Sequence, residues 1–255
     1  EIMSSDWSSD VCSSDLTNED EAATRDHVRG MLDRDLDEDR LDLPAVIASS
    51  RLDPKKNHLD LVRAFAQTPE LQARANLVFS TGGLDDPLRD DSEAGETERE
   101  VLADIREVIE AHDLWGKVSG FALRGQRALA ATYRFLAERG SVFALTAVYE
   151  PFGLAPLEAA AAGLPLVVTE NGGPTESLRE GDTEYGVLVD PTDPDDIAQG
   201  LLRLLSDKDT WETFAKRGRR RVLDRYTWER TAEGYLREIA ALVEHPEAGR
   251  PETLL

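Results

Sequence analysis

Two carboxylates eight positions apart, Glu150 and Glu158, flank the segment of this chain that is best suited to chemistry. The apolar run 141–148 predicts a buried strand, and the run 154–162 predicts a helix. A proline and a glycine between the two runs indicate a turn. Glu150 is therefore expected at the carboxyl end of a strand, where open parallel sheets bind ligands, and Glu158 in the first turns of the following helix.

The predicted ligand of this segment is a sugar nucleotide. A helix N-terminus offers free N–H groups to a phosphate. Glu158 can accept hydrogen bonds from the vicinal diol of a ribose, and Glu150 can accept them from the hydroxyls of a second sugar. A lone glutamate is more often a solvated surface group, but the order carboxylate, turn, glycine, helix, carboxylate favours a function here.

A second group of residues follows the first predicted strand, in the segment 49–58 with the sequence Ser-Ser-Arg-Leu-Asp-Pro-Lys-Lys-Asn-His. Arg51 and Lys56 are expected to point into the same crevice as Glu150. They would supply the positive charge that a departing diphosphate needs. Asn57 is expected to cap the next helix. A solvated basic loop is the alternative, but clustered cations in so acidic a chain favour ligand binding.

Three further strand ends carry residues that can approach a ligand. Gly82 follows the second predicted strand and leaves room for a ligand beside the backbone, although a plain turn explains it equally well. Phe121 and Leu123 lie at the end of the third and can offer backbone contacts to a base. The segment Asn171-Gly-Gly-Pro174 permits a tight turn into a helix, and its glycines suit a structural role as well as ligand contact.

The composition argues against several classes of partner and site. The 255 residues contain 51 Asp and Glu against 29 Lys and Arg, for a net charge of −22. Such a surface repels nucleic acid and anionic membranes, so neither is expected as a partner. A single cysteine cannot form an internal disulfide framework, and no histidine pair has metal-ligand spacing. With no apolar run near the ~20 residues of a membrane span and no visible secretory signal, the cytoplasm is the expected location.

Six short apolar strands alternate with helices, which predicts an α/β fold with a doubly wound, Rossmann-like parallel sheet and additional C-terminal helices. The predicted strands are 44–50, 76–81, 117–121, 141–148, 164–169 and 186–189. The predicted helices are 24–40, 58–67, 97–112, 127–138, 154–162, 175–179, one from Pro194 with Asp193 as its N-cap, 210–225, and 228–243 with Thr227 as its N-cap.

The chain is expected to divide into four parts. Residues 1–16, where Ser-Ser-Asp occurs three times, are predicted to be a disordered and non-native lead. Residues 17–43 are predicted to be a linker with a helix, residues 44–244 the nucleotide-sugar donor-binding domain, and residues 245–255 a loose tail. The acidic segment 83–98 interrupts the alternation and is expected to be a surface loop outside the core.

Together these residues resemble the donor-binding half of the retaining GT-B glycosyltransferases of family 4. The resemblance rests on Arg51, Lys56-Asn57, Gly82, Glu150-Pro-Phe-Gly-Leu154, Glu158 and Asn171-Gly-Gly-Pro174. Within that family, the segments 49–58, 140–146 and 186–191 are similar to those of the sucrose-phosphate synthases. The resemblance runs from about residue 43 to residue 243.

The resemblance implies transfer of glucose from UDP-glucose to a sugar phosphate acceptor, fructose 6-phosphate, with retention of the anomeric configuration. It implies that Arg51 and Lys56 bind the diphosphate and that Glu150 holds the glucosyl hydroxyls. Glu158 would hold the ribose, and no metal or other cofactor is strictly required. The backbone around the donor sugar and phosphate would come from Phe152, Gly153 and Leu154.

The resemblance covers one half of a GT-B enzyme, and the other half carries most of the acceptor site. This polypeptide alone is therefore expected to bind UDP or UDP-glucose weakly and not to turn over. Sucrose synthase, mannosylfructose-phosphate synthase and a non-catalytic nucleotide-sugar binding module are the alternatives. The choice among UDP, ADP and GDP stays open, because backbone contacts to a base would decide it.

Overall fold

The structure, a computed structural model, describes residues 18–245. The predictions for the lead 1–16 and for the tail after His245 fall outside the described residues. The strands are β1 Ala45–Ser49, β2 Asn76–Thr81, β3 Val118–Ala122, β4 Val142–Leu145, β5 Leu166–Thr169, β6 Arg179–Glu180, β7 Thr183–Glu184 and β8 Val187–Val189.

Ten α-helices lie within the described range. They are α1 Asn18–Asp35, α2 His58–Gln67, α3 Pro69–Arg74, α4 Glu96–Ala111, α5 Gln126–Glu138, α6 Leu154–Ala161, α7 Pro174–Ser177, α8 Pro194–Leu205, α9 Lys208–Arg225 and α10 Trp228–Glu244. Short 3₁₀ turns span Glu38–Arg40 and Pro54–Lys56. The predicted caps are confirmed at two helices: Asp193 accepts from the first turn of α8, and Thr227 accepts from Arg230 N.

Six strands form one parallel sheet in the order β3-β2-β1-β4-β5-β8, while β6 and β7 form a small separate hairpin. The order runs outward in both directions from β1 and β4, which is the doubly wound arrangement. The predicted fold class is therefore confirmed. The strand order reverses between β1 and β4, and the crevice beyond their carboxyl ends is where such sheets bind ligands.

The sheet is buried on both faces because successive strand residues point to opposite sides. On β1, Val46 and Ala48 pack into a cluster with helices α2, α3, α4 and α8. Ala45 and Ile47 point the other way and pack with α1, α5 and α6. This two-sided burial explains why the strands read as continuous apolar runs rather than as alternating ones.

Two predicted boundaries are wrong because contacts distant in sequence end the element. Helix α1 begins at Asn18 and ends at Asp35 rather than at residue 40, since Asp37 N donates to Gly116 O at 2.9 Å. Strand β4 ends at Leu145 rather than at residue 148. Beyond it, Val148 N donates to Lys55 O at 2.9 Å, which pulls the chain towards the loop after β1.

Two further features differ from the expectation. The acidic segment 83–98 is not wholly outside the core, because Leu84 and Leu88 are buried within the first cluster, and Asp86 and Asp91 are partly buried. The sequence pattern also missed helix α3 and the hairpin of β6 and β7, which are too short to show a period.

Helix α1 is held to the sheet by a buried carboxylate, Asp35, whose side chain is fully covered. It accepts hydrogen bonds from Arg34 at 2.8 Å, Arg89 at 2.6 Å, Ser119 Oγ at 2.7 Å and Gly120 N at 3.3 Å. Burial alone would raise the pKa of Asp35, but the donors from Arg34, Ser119 and Arg89 hold it below its usual range. One carboxylate thus joins α1, β3 and the acidic loop.

We expect Asp35→Ala to lower the free energy of unfolding by about 3 kcal/mol, because Ser119 and two guanidinium groups lose their shared partner. Urea denaturation measures the loss. Asp26→Ala is the matched control, since Asp26 lies on the same helix, is 77% exposed and has only a 3.6 Å contact with Arg29. Its expected effect is within about 0.5 kcal/mol. Similar losses in the two variants would contradict a fastening role for Asp35.

Candidate functional site

A cleft of about 670 Å³ opens at the carboxyl edge of the sheet, beyond β1, β2 and β3 and beside the start of α5. Three predicted site residues line it: Arg51, Gly82 and Leu123. Gly125 and Gln126 also line it, at the N-terminus of the 13-residue helix α5. The sequence analysis missed these two, although a glycine before a predicted helix next to a sheet edge is a usable signal.

Arg51 is exposed at the cleft, and its guanidinium forms no ion pair with any carboxylate in residues 18–245. The backbone at Arg51 is held in place by the buried side chain of His58. The ring atom Nε2 of His58 lies 3.0 Å from Ser50 Oγ and 3.2 Å from Arg51 O. Only 3% of His58 is exposed, and its ring packs edge-on against Phe79. His58 is therefore a positioning residue for the loop after β1, a role the sequence analysis did not assign.

Burial lowers the pKa of His58 from 6.5 to about 4, so the ring is neutral at pH 7. In the unfolded chain the imidazole takes up a proton near pH 6.5, so between these two values the unfolded state binds more protons. The stability contribution is complete above pH 6.5 and declines as the pH falls towards 4.

Between pH 7 and pH 5 the free energy of unfolding of the wild type should therefore fall by about 2 kcal/mol through His58 alone. In His58→Gln that part of the pH dependence should vanish. Urea denaturation at the two pH values measures it, with His112→Gln, an exposed histidine, as the control that keeps the wild-type slope. An unchanged slope in His58→Gln would show that the ring is not held neutral.

The predicted phosphate ligand Lys56 and the predicted sugar ligand Glu150 contact each other directly. Lys56 Nζ lies 2.8 Å from Glu150 Oε2, and the two side chains are 22% and 13% exposed. The contact crosses the switch point of the sheet, because Lys56 follows β1 and Glu150 follows β4. The other oxygen of Glu150, Oε1, accepts from Gly153 N at 3.1 Å, at the residue before α6. Both groups are thus held in place before any ligand arrives.

Asn57 lies at the predicted N-cap position of α2, but its side chain does not act as the cap. Asn57 adopts a left-handed conformation, with φ 53°, between the 3₁₀ turn and α2, and its side chain makes no cap hydrogen bond. Its amide instead donates to Pro191 O at 2.6 Å, in the loop after β8. Its carbonyl accepts from Thr146 Oγ1 at 3.0 Å. Asn57 therefore ties the loop after β1 to the loops after β4 and β8.

The segment Asn171–Pro174 clasps the loop that carries Glu150. Glu150 N donates to Asn171 O, and Gly173 N donates to Glu150 O, both at 3.0 Å. A side chain at Gly172, which has φ 107°, would overlap Glu150 O, and one at Gly173 would collide with Pro151 and Phe152. This close approach explains both glycines structurally, which was one of the two roles left open.

Glu158 lies one turn into α6 and is partly buried. It lines a small cavity with Tyr133, and two other residues of that cavity, Gln126 and Leu129, also line the main cleft. Gly153 precedes α6 with φ 91°, while Phe152 and Leu154 are 52% and 41% exposed at the same edge.

The structure does not bring Phe121 to the cleft. The side chain of Phe121 is completely buried in the second core cluster, edge-on to His27, and the backbone contact with a base stays a prediction. Successive side chains of β3 point to opposite faces of the sheet, and that of Phe121 points into the core. Leu123, two residues later, lines the cleft, and its N–H is already used by Thr81 O at 2.8 Å.

Within the range 18–245, no group of three or more His, Cys, Asp or Glu side chains is placed to hold a metal ion. None of the helices described there is long and apolar enough to span a membrane. The edge of the sheet presents the carboxylates of Glu150 and Glu158, those of Glu93 and Glu98 at the cleft, the cations Arg51 and Lys56, and helix N-termini.

Residues 38–221, more than half of the chain, match the family model of the glycosyl transferases group 1. The chain belongs to this family. The sucrose-phosphate synthase of Zea mays is 39% identical over 197 residues, which cover 77% of this chain and 18% of that protein. The sucrose-phosphate synthase of Spinacia oleracea is 37% identical over 198 residues, covering 78% of this chain and 18% of that protein. The chain thus spans about a fifth of the length of these relatives.

Solved structures of glycosyltransferases share the fold. A sucrose-phosphate synthase from Thermosynechococcus elongatus superposes with a TM-score of 0.63 at 28% identity, covering 86% of this chain and 49% of that one. Anabaena HepE, solved in complex with UDP-glucose, gives a TM-score of 0.66 at 20% identity, covering 86% of this chain and 53% of that one. At 20% identity, the similarity to HepE is evidence for a shared fold only. The chain corresponds to about half of each structure, and the predicted family resemblance is confirmed.

Proposed function

We propose that this chain is the donor-binding half of a retaining glucosyltransferase that transfers glucose from UDP-glucose to fructose 6-phosphate. The observation that carries the proposal is the 2.8 Å contact between Lys56 and Glu150 across the switch point. It joins a phosphate-binding cation to a carboxylate that can hold sugar hydroxyls, which is what a sugar diphosphate requires. The identity of 39% to a sucrose-phosphate synthase supports the choice of donor and acceptor.

In the proposed reaction, the bond between glucose C1 and the β-phosphate oxygen breaks as an acceptor hydroxyl attacks C1 from the same face. The acceptor proton passes to the departing phosphate oxygen, and the products are sucrose 6-phosphate and UDP. Negative charge builds on the diphosphate as the bond breaks. Arg51 can meet that charge with a guanidinium fork and Lys56 with a point charge.

Glu150 has two tasks in this scheme. An ammonium group has three donors, so Lys56 can bind a phosphate oxygen while one donor stays on Glu150. Glu150 thereby aims Lys56 at the diphosphate, and its remaining lone pairs are available to the glucosyl hydroxyls. Gly153 N fixes the orientation of the carboxylate from the other side. Arg51, Gly82 and the N-terminus of α5 surround the cleft proposed for the nucleotide.

The first test is titration of the chain with UDP by calorimetry. We expect measurable binding, and roughly tenfold weaker binding in Arg51→Ala and in Lys56→Ala, because each loses a charged hydrogen bond to the diphosphate. Arg230→Ala removes an exposed arginine on α10 that pairs with Glu233, and it should bind UDP as the wild type does. Parallel titrations with ADP and GDP determine the base preference. Wild-type affinity in both site variants would overturn the assignment of the phosphate site.

The second test concerns turnover. We expect this polypeptide by itself, supplied with UDP-glucose and fructose 6-phosphate, to release no sucrose 6-phosphate above a protein-free blank, because positioning of the acceptor and exclusion of water need a second domain. Product analysis by chromatography measures it. Robust synthesis by this chain alone would refute that part of the proposal and leave the donor assignment intact.

A further inference from the structure

The side chain of Tyr133 on α5 is completely buried, yet its hydroxyl has no hydrogen-bond partner of normal geometry among residues 18–245. The ring is fixed by an edge-on contact with Phe143, with ring centres 5.7 Å apart. A buried hydroxyl without a partner is costly, and native proteins keep few of them. A phenylalanine would pack in the same place without that cost, so the hydroxyl calls for an explanation.

The hydroxyl belongs to a residue that borders the predicted ribose site. Tyr133 lines the small cavity that Glu158 also lines, and Gln126 and Leu129 connect that cavity to the main cleft. The cavity has a volume of about 10 Å³. That is close to the space that one water molecule needs, and a phenol and a carboxylate both line the cavity.

Burial first, and then the neighbouring charge of Glu158, raise the pKa of Tyr133 above its ordinary value, so the phenol keeps its proton. A hydrogen bond with the Ser49 side chain opposes the shift in pKa, but the geometry of that contact is too poor to satisfy the buried hydroxyl. A protonated phenol can donate, and an ionised carboxylate can only accept. In a bridge between the two, Tyr133 is therefore the donor and Glu158 the acceptor.

We propose that Tyr133 is a positioning residue for the ribose subsite, and that its hydroxyl donates through one bound water to the carboxylate of Glu158. The bridge would hold the carboxylate in the orientation in which it accepts the two ribose hydroxyls. The inference rests on the proposed function, because it assumes that the nucleotide of the donor occupies the main cleft. The inference assigns a role in nucleotide binding to a residue of the preceding helix that does not itself contact the nucleotide.

The test compares the affinity of the chain for UDP with its affinity for 2′,3′-dideoxy-UDP, which lacks the diol. The ratio of the two affinities isolates the ribose hydroxyls. We expect Tyr133→Phe to reduce this ratio about fivefold, the effect of one lost hydrogen bond. Glu158→Gln should also reduce it, and the double variant should show no further reduction. Tyr235→Phe, the same substitution at a 68% exposed site on α10, should leave the ratio unchanged.

The outcomes are separable. If Tyr133→Phe weakens both ligands equally, or changes neither, the residue has only a packing role and the inference fails. If Glu158→Gln lowers the ratio and Tyr133→Phe does not, the inference fails while the proposed function stands. If the wild type binds no UDP, both fail. Thermal denaturation of each variant confirms that it is folded, and Tyr133→Phe is expected to stay folded because its ring packing is unchanged.

Discussion

The ion pair between Lys56 and Glu150 is the interaction on which the site depends, because it joins the two halves of the sheet where they diverge. The partners follow β1 and β4, the neighbouring strands at the switch point. Three backbone contacts reinforce the pair, from Val148 to Lys55 and between Glu150 and the loop after β5. Since both charges are largely shielded from water, removing one would leave the other poorly compensated. The loops must therefore form together.

The net negative charge of the chain determines how the site at the Lys56–Glu150 pair can bind an anion. A net charge of −22 repels a diphosphate at long range, so an anion must be bound by local cations and backbone donors. Within the described range Arg51 forms no ion pair with a carboxylate, whereas Lys56 is paired with Glu150. Glu93 and Glu98 also line the cleft, so Arg51 and the N-terminus of α5 provide the local donors for an anion beside two carboxylates.

Much of the fold was accessible from sequence because local signals and tertiary packing agree. Strand β2 and helix α2 have the predicted bounds. A continuous apolar run identifies the strand, and a helical spacing of apolar residues identifies the helix. The errors occur where a distant group competes. Strand β4 ends early because Val148 N, just beyond it, donates to Lys55 O in the loop after β1. The side-chain amide of Asn57 donates to Pro191 O instead of capping α2. Leu84 and Leu88 enter the core although their segment is acidic, because two side chains suffice to anchor a loop.

The sequence by itself determined the class of fold, the family and the residue types that bring charge and carboxylates to one sheet edge. Those properties depend on short-range periodicity and on strand ends, which a linear pattern records. Only the tertiary structure decided which of those residues meet: Lys56 with Glu150, His58 under Arg51, Tyr133 beside Glu158, and Phe121 in the core. These contacts join residues from different strands and helices, so they arise from register and packing, which no local pattern encodes.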